Sequence, residues 1–259
     1  MKLPIYQIDA FTTKAFGGNP AAVCPLTAWI PDALMQSIAA ENNLAETAFF
    51  VPQGDGYDIR WFTPLAEVKL CGHATLASAY VVFERLAHGG EKITFHSKSG
   101  PLFVTKSDGR IALDFPANPP RPCAPPPGLV ESLGKAPTEV RRADVYFAVY
   151  GTEAEVRSLS PDMAGIEKLD EHAVIATAPG TDVDFVSRFF APQVGIPEDP
   201  ATGSAHCKLV PYWAERLGKT VLRARQVSAR VGELWCELRG DRVIMSGHAA
   251  PYLEGTIDV

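Results

Sequence analysis

Two stretches of the chain carry one pattern. RWFTPLAEVKLCGHATLASA begins at Arg60 and RFFAPQVGIPEDPATGSAHC at Arg188, an offset of 128 residues. Arg60, Phe62 and Pro64 meet Arg188, Phe190 and Pro192, and Cys71 falls opposite Asp199. Glu-Arg-Leu at 84–86 returns at 215–217, an offset of 131. GPLFVTKSDGRIAL (100–113) then returns as GELWCELRGDRVIM (232–245), at 132. Windows in the same order with so little drift point to an internal duplication, and two copies make a domain pair rather than a solenoid. The drift puts three extra residues in the second helix region. Whatever one half builds, the other must build too.

The break between the copies is PANPPRPCAPPPG (116–128), which holds seven prolines. Such a segment cannot continue a helix or lie in the middle of a sheet, and reads as an extended connector. The expected division is a lobe at 1–115, a linker at 116–128 and a lobe at 129–259, with the last residues packing back on the first lobe. In lobe one, 3–9 and 20–24 read as strands flanking a glycine-rich loop, and 31–43 as a helix with Pro31 in its first turn. LAETAFFV (44–51) and YDIRWF (57–62) read as strands, and 73–86 as a helix apolar on nearly every face, hence buried all round. A strand at 92–96 and the 100–113 hairpin close the lobe. Lobe two repeats this with a helix at 203–217. The fold class expected is α+β, two pseudo-symmetric lobes, each a central helix wrapped by mostly antiparallel strands.

Composition narrows the function. A net charge of −6, with basic residues scattered, argues against a broad grip on nucleic acid. Five cysteines without a CxxC pair suit a reducing compartment, and the N-terminal residues lack a signal-peptide core. No apolar run reaches membrane-spanning length. A cytoplasmic protein without membrane or nucleic-acid partners is expected. The six histidines are dispersed, with no HExxH, Cys/His metal spacing, GxGxxG, Walker loop or GxSxG elbow. Neither metal nor cofactor is expected, so any chemistry falls to side-chain acids and bases.

Three groups could carry it. Glu46 is a lone carboxylate in a stretch built for burial; desolvation would favour its protonated form and poise it for proton transfer. Otherwise it is an edge carboxylate reaching water. Gly72 precedes a helix start whose free N–H groups suit a carboxylate or phosphate, and His73 there can relay a proton or be an incidental helix-start residue. Cys71 reads as an activated thiolate or as a small buried side chain. In the second copy Asp199 precedes Pro200, and Thr202, Gly203 and Ser204 open a helix of the same design. Asp199 is either functional or a plain helix cap. Glu198 and Asp199 stand side by side with no basic residue nearby in sequence, so they should repel.

The motifs DAFTTKAFGGNPAAV, NLAETAFF, RWFTPLAEVKLCGHATLA and GIPEDPATGSAH together resemble the phenazine-biosynthesis-like (PhzF-like) isomerase family, whose relatives are diaminopimelate epimerases and proline racemases. The resemblance covers essentially the whole chain. It implies an epimerase-type fold with a cofactor-free active site in the cleft between lobes, a small anionic substrate and a homodimer. The family's founding activity isomerises a dihydro-hydroxyanthranilic acid by moving a proton. By this resemblance the catalytic residues are Glu46, His73 and Asp199, with Cys71, Gly72, Ala74, Thr202, Gly203 and Ser204 holding substrate. The implied activity is relocation of a proton on a carboxylate-bearing molecule. Two other readings stay open: a racemase or epimerase of a small amino or hydroxy acid using Cys71 and Asp199, and a non-catalytic binding protein on the same scaffold.

Overall fold

The structure is a computed structural model and describes residues 1–86 and 88–259. Its chain divides into two compact units, Met1–Asp114 with Ser246–Val259, and Phe115–Met245. The break falls where the prolines begin, and the last 14 residues belong to the first unit.

Unit one starts with β1 (Lys2–Ala10), β2 (Asn19–Pro25), α1 (Asp32–Asn42), β3 (Glu46–Gln53), β4 (Gly56–Phe62), the two-residue β5 (Glu67–Val68) and α2 (Gly72–Glu84). β6 (Lys92–Ser97), β7 (Gly100–Ser107) and β8 (Arg110–Pro116) follow. β1 pairs antiparallel with β2, β2 parallel with β3, β3 antiparallel with β4, and β4 parallel with β6. β6, β7 and β8 continue antiparallel. Asp108 and Gly109 both take positive φ, the turn that the DG signal demands between twisted strands.

Unit two repeats the plan. β9 (Arg121–Pro122), α3 (Leu129–Leu133), β10 (Glu139–Arg142), β11 (Tyr146–Val149), α4 (Glu153–Ser158), α5 (Met163–Ile166) and β12 (Val174–Pro179) lead to β13 (Phe185–Ala191). Then come β14 (Ile196–Asp199), α6 (Gly203–Leu217), β15 (Val221–Gln226), β16 (Gly232–Arg239) and β17 (Arg242–Gly247). β18 (Ala249–Asp258) pairs with β1 of unit one. From β10 to β16 the pairings run antiparallel, parallel, antiparallel, parallel, antiparallel, as they do from β1 to β7. The sheets are therefore mixed: mostly antiparallel, with parallel pairs across α1, α2, the α4–α5 segment and α6.

Both central helices are buried. Between His73 and Phe83 only Tyr80 of α2 escapes full burial, and in α6 everything from Ala205 to Ala214 is buried except Pro211. Small residues on α2 (Ala74, Ala77, Ser78, Ala79) let strands approach on all sides. Each unit has its own core, around Met35, Phe49 and Phe62 in the first and Tyr150, Ile166 and Phe190 in the second.

Three expectations shift. Pro31 sits at the cap of α1 rather than inside its first turn, since its ψ of 139° is not helical. β3 begins at Glu46, leaving Leu44 and Ala45 outside the strand. The three extra residues of the second copy precede its helix: α2 and α6 already start 131 apart, at Gly72 and Gly203. They fall between Pro192 and Glu198, in the segment that opens with the 3-10 turn Pro192–Val194. In helix register Thr202, not Asp199, stands opposite Cys71.

Candidate active site

The register is fixed by a pair of arginine clamps. Arg60 on β4 grips both oxygens of Glu67 on β5, at 2.8 and 2.9 Å. Arg188 on β13 grips both oxygens of Glu198 on β14, at 2.7 and 2.8 Å. Glu67 and Glu198 are also 131 apart, so each clamp ties the strand before a central helix to its neighbour. Arg188 also answers the expected repulsion between Glu198 and Asp199, because the sheet supplies the positive charge that the local sequence lacks.

Ahead of α2 three side chains gather. Glu46 opens β3 beside Ala21 of β2, the strand that Asn19 begins. Glu46 Oε2 lies 3.3 Å from His73 Nε2, with side-chain exposures of 12% and 5%. The approach is within ion-pair range but lacks the alignment of a hydrogen bond. On the other ring nitrogen, Asn19 Nδ2 stands 3.2 Å and Cys71 Sγ 3.5 Å from His73 Nδ1. With the Asn19 amide donating to Nδ1, the neutral ring carries its proton on Nε2, on the side of Glu46. Cys71, His73 and Glu46 each have a donor atom within 4.8 Å of the others. No sequence spacing announced this cluster, because Glu46 arrives from another strand.

Asn19 is the residue that sequence reasoning missed. It follows a connection in which Phe11 and Phe16 adopt positive φ and Gly18 packs where a Cβ would meet the Ala10 carbonyl oxygen at 2.0 Å. Asp9, nearly fully buried, accepts the Phe16 N–H at 2.8 Å and helps to hold this bend. Two bulky residues in the left-handed region cost free energy, which a folded protein retains where the resulting geometry is needed. The GGNP tetrapeptide was the available signal.

Ahead of α6 the chemistry differs. The Thr202 hydroxyl donates to Asp199 Oδ2 and accepts from Gln226 Nε2 at 3.1 Å. Gln226 Nε2 also donates to the Asp199 carbonyl at 2.6 Å, and its Oε1 accepts the Thr202 N–H at 2.8 Å. Gln226 is wholly buried, and sequence reasoning missed it too; nothing in VLRARQVSAR distinguishes it. His206 Nδ1 donates to the Thr202 carbonyl at 2.8 Å, and burial pushes the imidazole down to about 4, so the ring is neutral near pH 7.

Neither cap residue, Cys71 or Thr202, gives its helix a side-chain capping bond. The Thr202 hydroxyl donates to Asp199 and accepts from Gln226, and a thiol is a poor acceptor. Both helices therefore present first-turn amides without side-chain caps, a setting that favours an anion. Gly72 and Ala74 sit in the first turn of α2, and Gly203 and exposed Ser204 in that of α6. The structure thus gathers Glu46, Cys71, Gly72, His73 and Ala74 at one helix start, and Asp199, Thr202, Gly203 and Ser204 at the other. Among the described residues no helix is long and apolar enough to cross a membrane.

Duplicated units of this topology define an epimerase-type fold. A hydroxyproline epimerase from Agrobacterium vitis shares it, with a TM-score of 0.62 over 99% of this chain and 92% of that one, at 10% identity. Nearer relatives give the particular family. A PhzF-family phenazine biosynthesis protein of Enterococcus faecalis matches with a TM-score of 0.98 and 46% identity over the whole of both chains. A Pseudomonas aeruginosa protein named as an uncharacterized isomerase is 51% identical over 257 residues, 99% of each. Residues 8–255 match the family described as phenazine biosynthesis-like protein, PhzC-PhzF. The chain belongs to that family, and it is an enzyme of the isomerase class.

Proposed function

We propose that this isomerase relocates a proton on a small carboxylate-bearing substrate by acid–base catalysis at Glu46, without a cofactor. One observation carries the reading: a largely buried glutamate faces the Nε2 of a buried histidine, 3.3 Å away, at the start of a helix whose cap side chain does not cap it. The first-turn amides of α2 would take the substrate's carboxylate, which orients an activated carbon towards Glu46. Glu46 removes the proton and returns it elsewhere, while His73, oriented by Asn19, shares protons and steadies developing negative charge. A positioned acid–base group of this kind contributes about 10²–10⁴-fold. By the family resemblance, Asp199, Thr202, Gly203 and Ser204 also have a role in binding substrate. The reading also carries over a homodimer from the family resemblance and a cytoplasmic location from the cysteine usage.

The test is deuterium uptake from heavy water. The probes are a dihydro-hydroxyanthranilic acid and a panel of small 2-amino and 2-hydroxy acids, read by mass spectrometry. Wild-type protein exchanges a carbon-bound proton of at least one probe, and Glu46→Gln does not, with its fold unchanged by circular dichroism. Exchange retained in Glu46→Gln rejects Glu46 as the base.

A second reading has one observation in its favour. Cys71 Sγ is 3.5 Å from His73 Nδ1, so an imidazole stands ready to take the thiol proton, as a racemase would need. Its partner would be Asp199, a carboxylate rather than a second thiol, and in helix register the hydroxyl of Thr202 stands opposite Cys71. Substrate-protected inactivation by a thiol alkylator would favour that reading over Glu46. A protein that binds probes but exchanges no proton would be the non-catalytic case.

A further inference from the structure

The two nitrogens of His73 face opposite chemistries, and the competition at one of them decides which the ring serves. Asn19 Nδ2 stands 3.2 Å and Cys71 Sγ 3.5 Å from Nδ1, while Glu46 Oε2 stands 3.3 Å from Nε2. A neutral imidazole has one acceptor nitrogen, and an amide N–H can only donate. With the Asn19 amide on Nδ1, neither the Nδ1–H tautomer nor the doubly protonated ring fits the site. The thiol faces Nδ1, so that is where it would have to pass its proton. Asn19 is wholly buried at the start of β2, opposite Ala10, and Gly18 before it has no room for a Cβ, so the amide has little freedom to leave.

We propose that Asn19 is a positioning residue that commits His73 to Glu46 and withholds it from Cys71, so that the thiol takes no part in proton transfer. Its amide keeps the ring proton on Nε2, on the side of the carboxylate. It also keeps Cys71 a thiol, because the imidazolium that would stabilise a thiolate cannot form at Nδ1. Without the amide, Nδ1 is open to the thiol. The proton then moves from Sγ to Nδ1, Nε2 keeps its own, and the ring becomes a cation between a thiolate and a carboxylate. One buried amide thus separates two chemistries that the same three side chains could run. The Glu46 half rests on the acid–base role given above; the Cys71 half does not.

Two variants test this. Asn19→Leu, close in size to asparagine, removes the donor, and Asn19→Asp replaces it with an acceptor. NMR of protein carrying nitrogen-15-labelled histidine reads the ring directly, with His73 identified by the signals lost in His73→Gln. Wild type shows Nε2 protonated and Nδ1 bare at neutral pH, and Asn19→Asp puts a proton on Nδ1. A wild-type ring protonated on Nδ1 overturns the proposal.

Alkylation by iodoacetamide, mapped by mass spectrometry, reads the thiol against half-buried Cys123 in the same molecule. Asn19→Leu should speed modification of Cys71 about tenfold near neutral pH, and the gain should hold down to about pH 6, as a thiolate paired with an imidazolium does. In a protein merely loosened, the rate would fall about tenfold per pH unit, as the thiolate fraction of an ordinary cysteine does. That fall, or no gain at all, overturns the claim on Cys71. Deuterium uptake tests the other half: Asn19→Leu should lose about tenfold in kcat, the scale of one hydrogen bond, with KM little changed. Full uptake in Asn19→Leu overturns the claim on Glu46. Wild-type protein that exchanges no probe overturns the isomerase reading, and the NMR and alkylation results still decide what Asn19 does to the ring and the thiol.

Discussion

The starts of α2 and α6 share a frame and differ in chemistry. Each follows a strand whose glutamate is clamped by an arginine from the neighbouring strand. Each also ties the cap carbonyl to a side chain four residues on, from Thr75 Oγ1 to Cys71 O at 2.5 Å and from His206 Nδ1 to Thr202 O at 2.8 Å. What fills the frame is thiol, imidazole and carboxylate in one unit, and carboxylate, hydroxyl and amide in the other. Duplication preserved the residues that aim a helix and changed the side chains around its start, so equivalent positions predict placement and not side-chain chemistry.

The strongest way to break the comparison is to weigh the two carboxylates. Glu46→Gln should lower deuterium uptake by about 10²–10⁴-fold. Asp199→Asn should cost about 10–100-fold, the scale of one charged hydrogen bond. Equal losses would mean that both corners perform the proton transfer, which the asymmetric assignment forbids.

Acid should separate the units next. Burial holds His206 at about 4, whereas an unfolded histidine titrates near 6.5. Unfolding therefore binds a proton between those values, and stability falls as pH drops from about 6.5 to 4. The loss reaches about 3 kcal/mol for this fully buried ring. Thr75, at the same place in α2, has nothing to titrate. Hydrogen exchange at pH 5 should show α6 loosened relative to pH 7. His206→Thr should remove the difference, and an acid-sensitive α6 in that variant would exclude His206 as the cause.

Gln226→Leu probes the same corner from the sheet. It strips partners from the Thr202 N–H and the Asp199 carbonyl, both deep in the unit, and should cost about 2 kcal/mol. The freed Thr202 hydroxyl can then cap α6, so the Ser204 and Ala205 amides should gain protection while β15 loses it. Uniform loss along both elements would show Gln226 to be packing alone.

Much of this was legible in the sequence. The tight polar turn and hydrophobic alternation act locally, so the hairpins could be read directly. The run from His73 to Phe83, apolar on every face, announced a buried helix. What stayed hidden depended on partners from elsewhere. Asn19 and Gln226 are ordinary amides whose role arises only when strands distant in sequence pair. The offset of 128 was right at Arg188 and wrong at Thr202, because the segment between Pro192 and Glu198 absorbed three residues where neither copy has a hydrophobic period to count by.

The smallest expected effect compares the clamps. Arg60 divides its guanidinium between Glu67 and Asp32, and the Asp32 side chain is 73% exposed, so that half of the pairing adds little. Arg188 places its surplus donors on the Leu159 carbonyl at 2.7 Å and the Val156 carbonyl at 3.3 Å, while both guanidiniums lie over the equivalent phenylalanine, Phe62 or Phe190. A lysine keeps the charge but loses the planar fork. Arg60→Lys should therefore cost about 1 kcal/mol and Arg188→Lys about 2 kcal/mol, read as faster amide exchange in β5 and β14 respectively. Arg60 and Lys98 also hold Glu67 below its ordinary 4.5, so the contribution of the first clamp is complete above that value and fades as pH falls through the lowered pKa. A larger loss from Arg60→Lys than from Arg188→Lys would mean that the first unit leans harder on its clamp, and that the frame has diverged along with the chemistry.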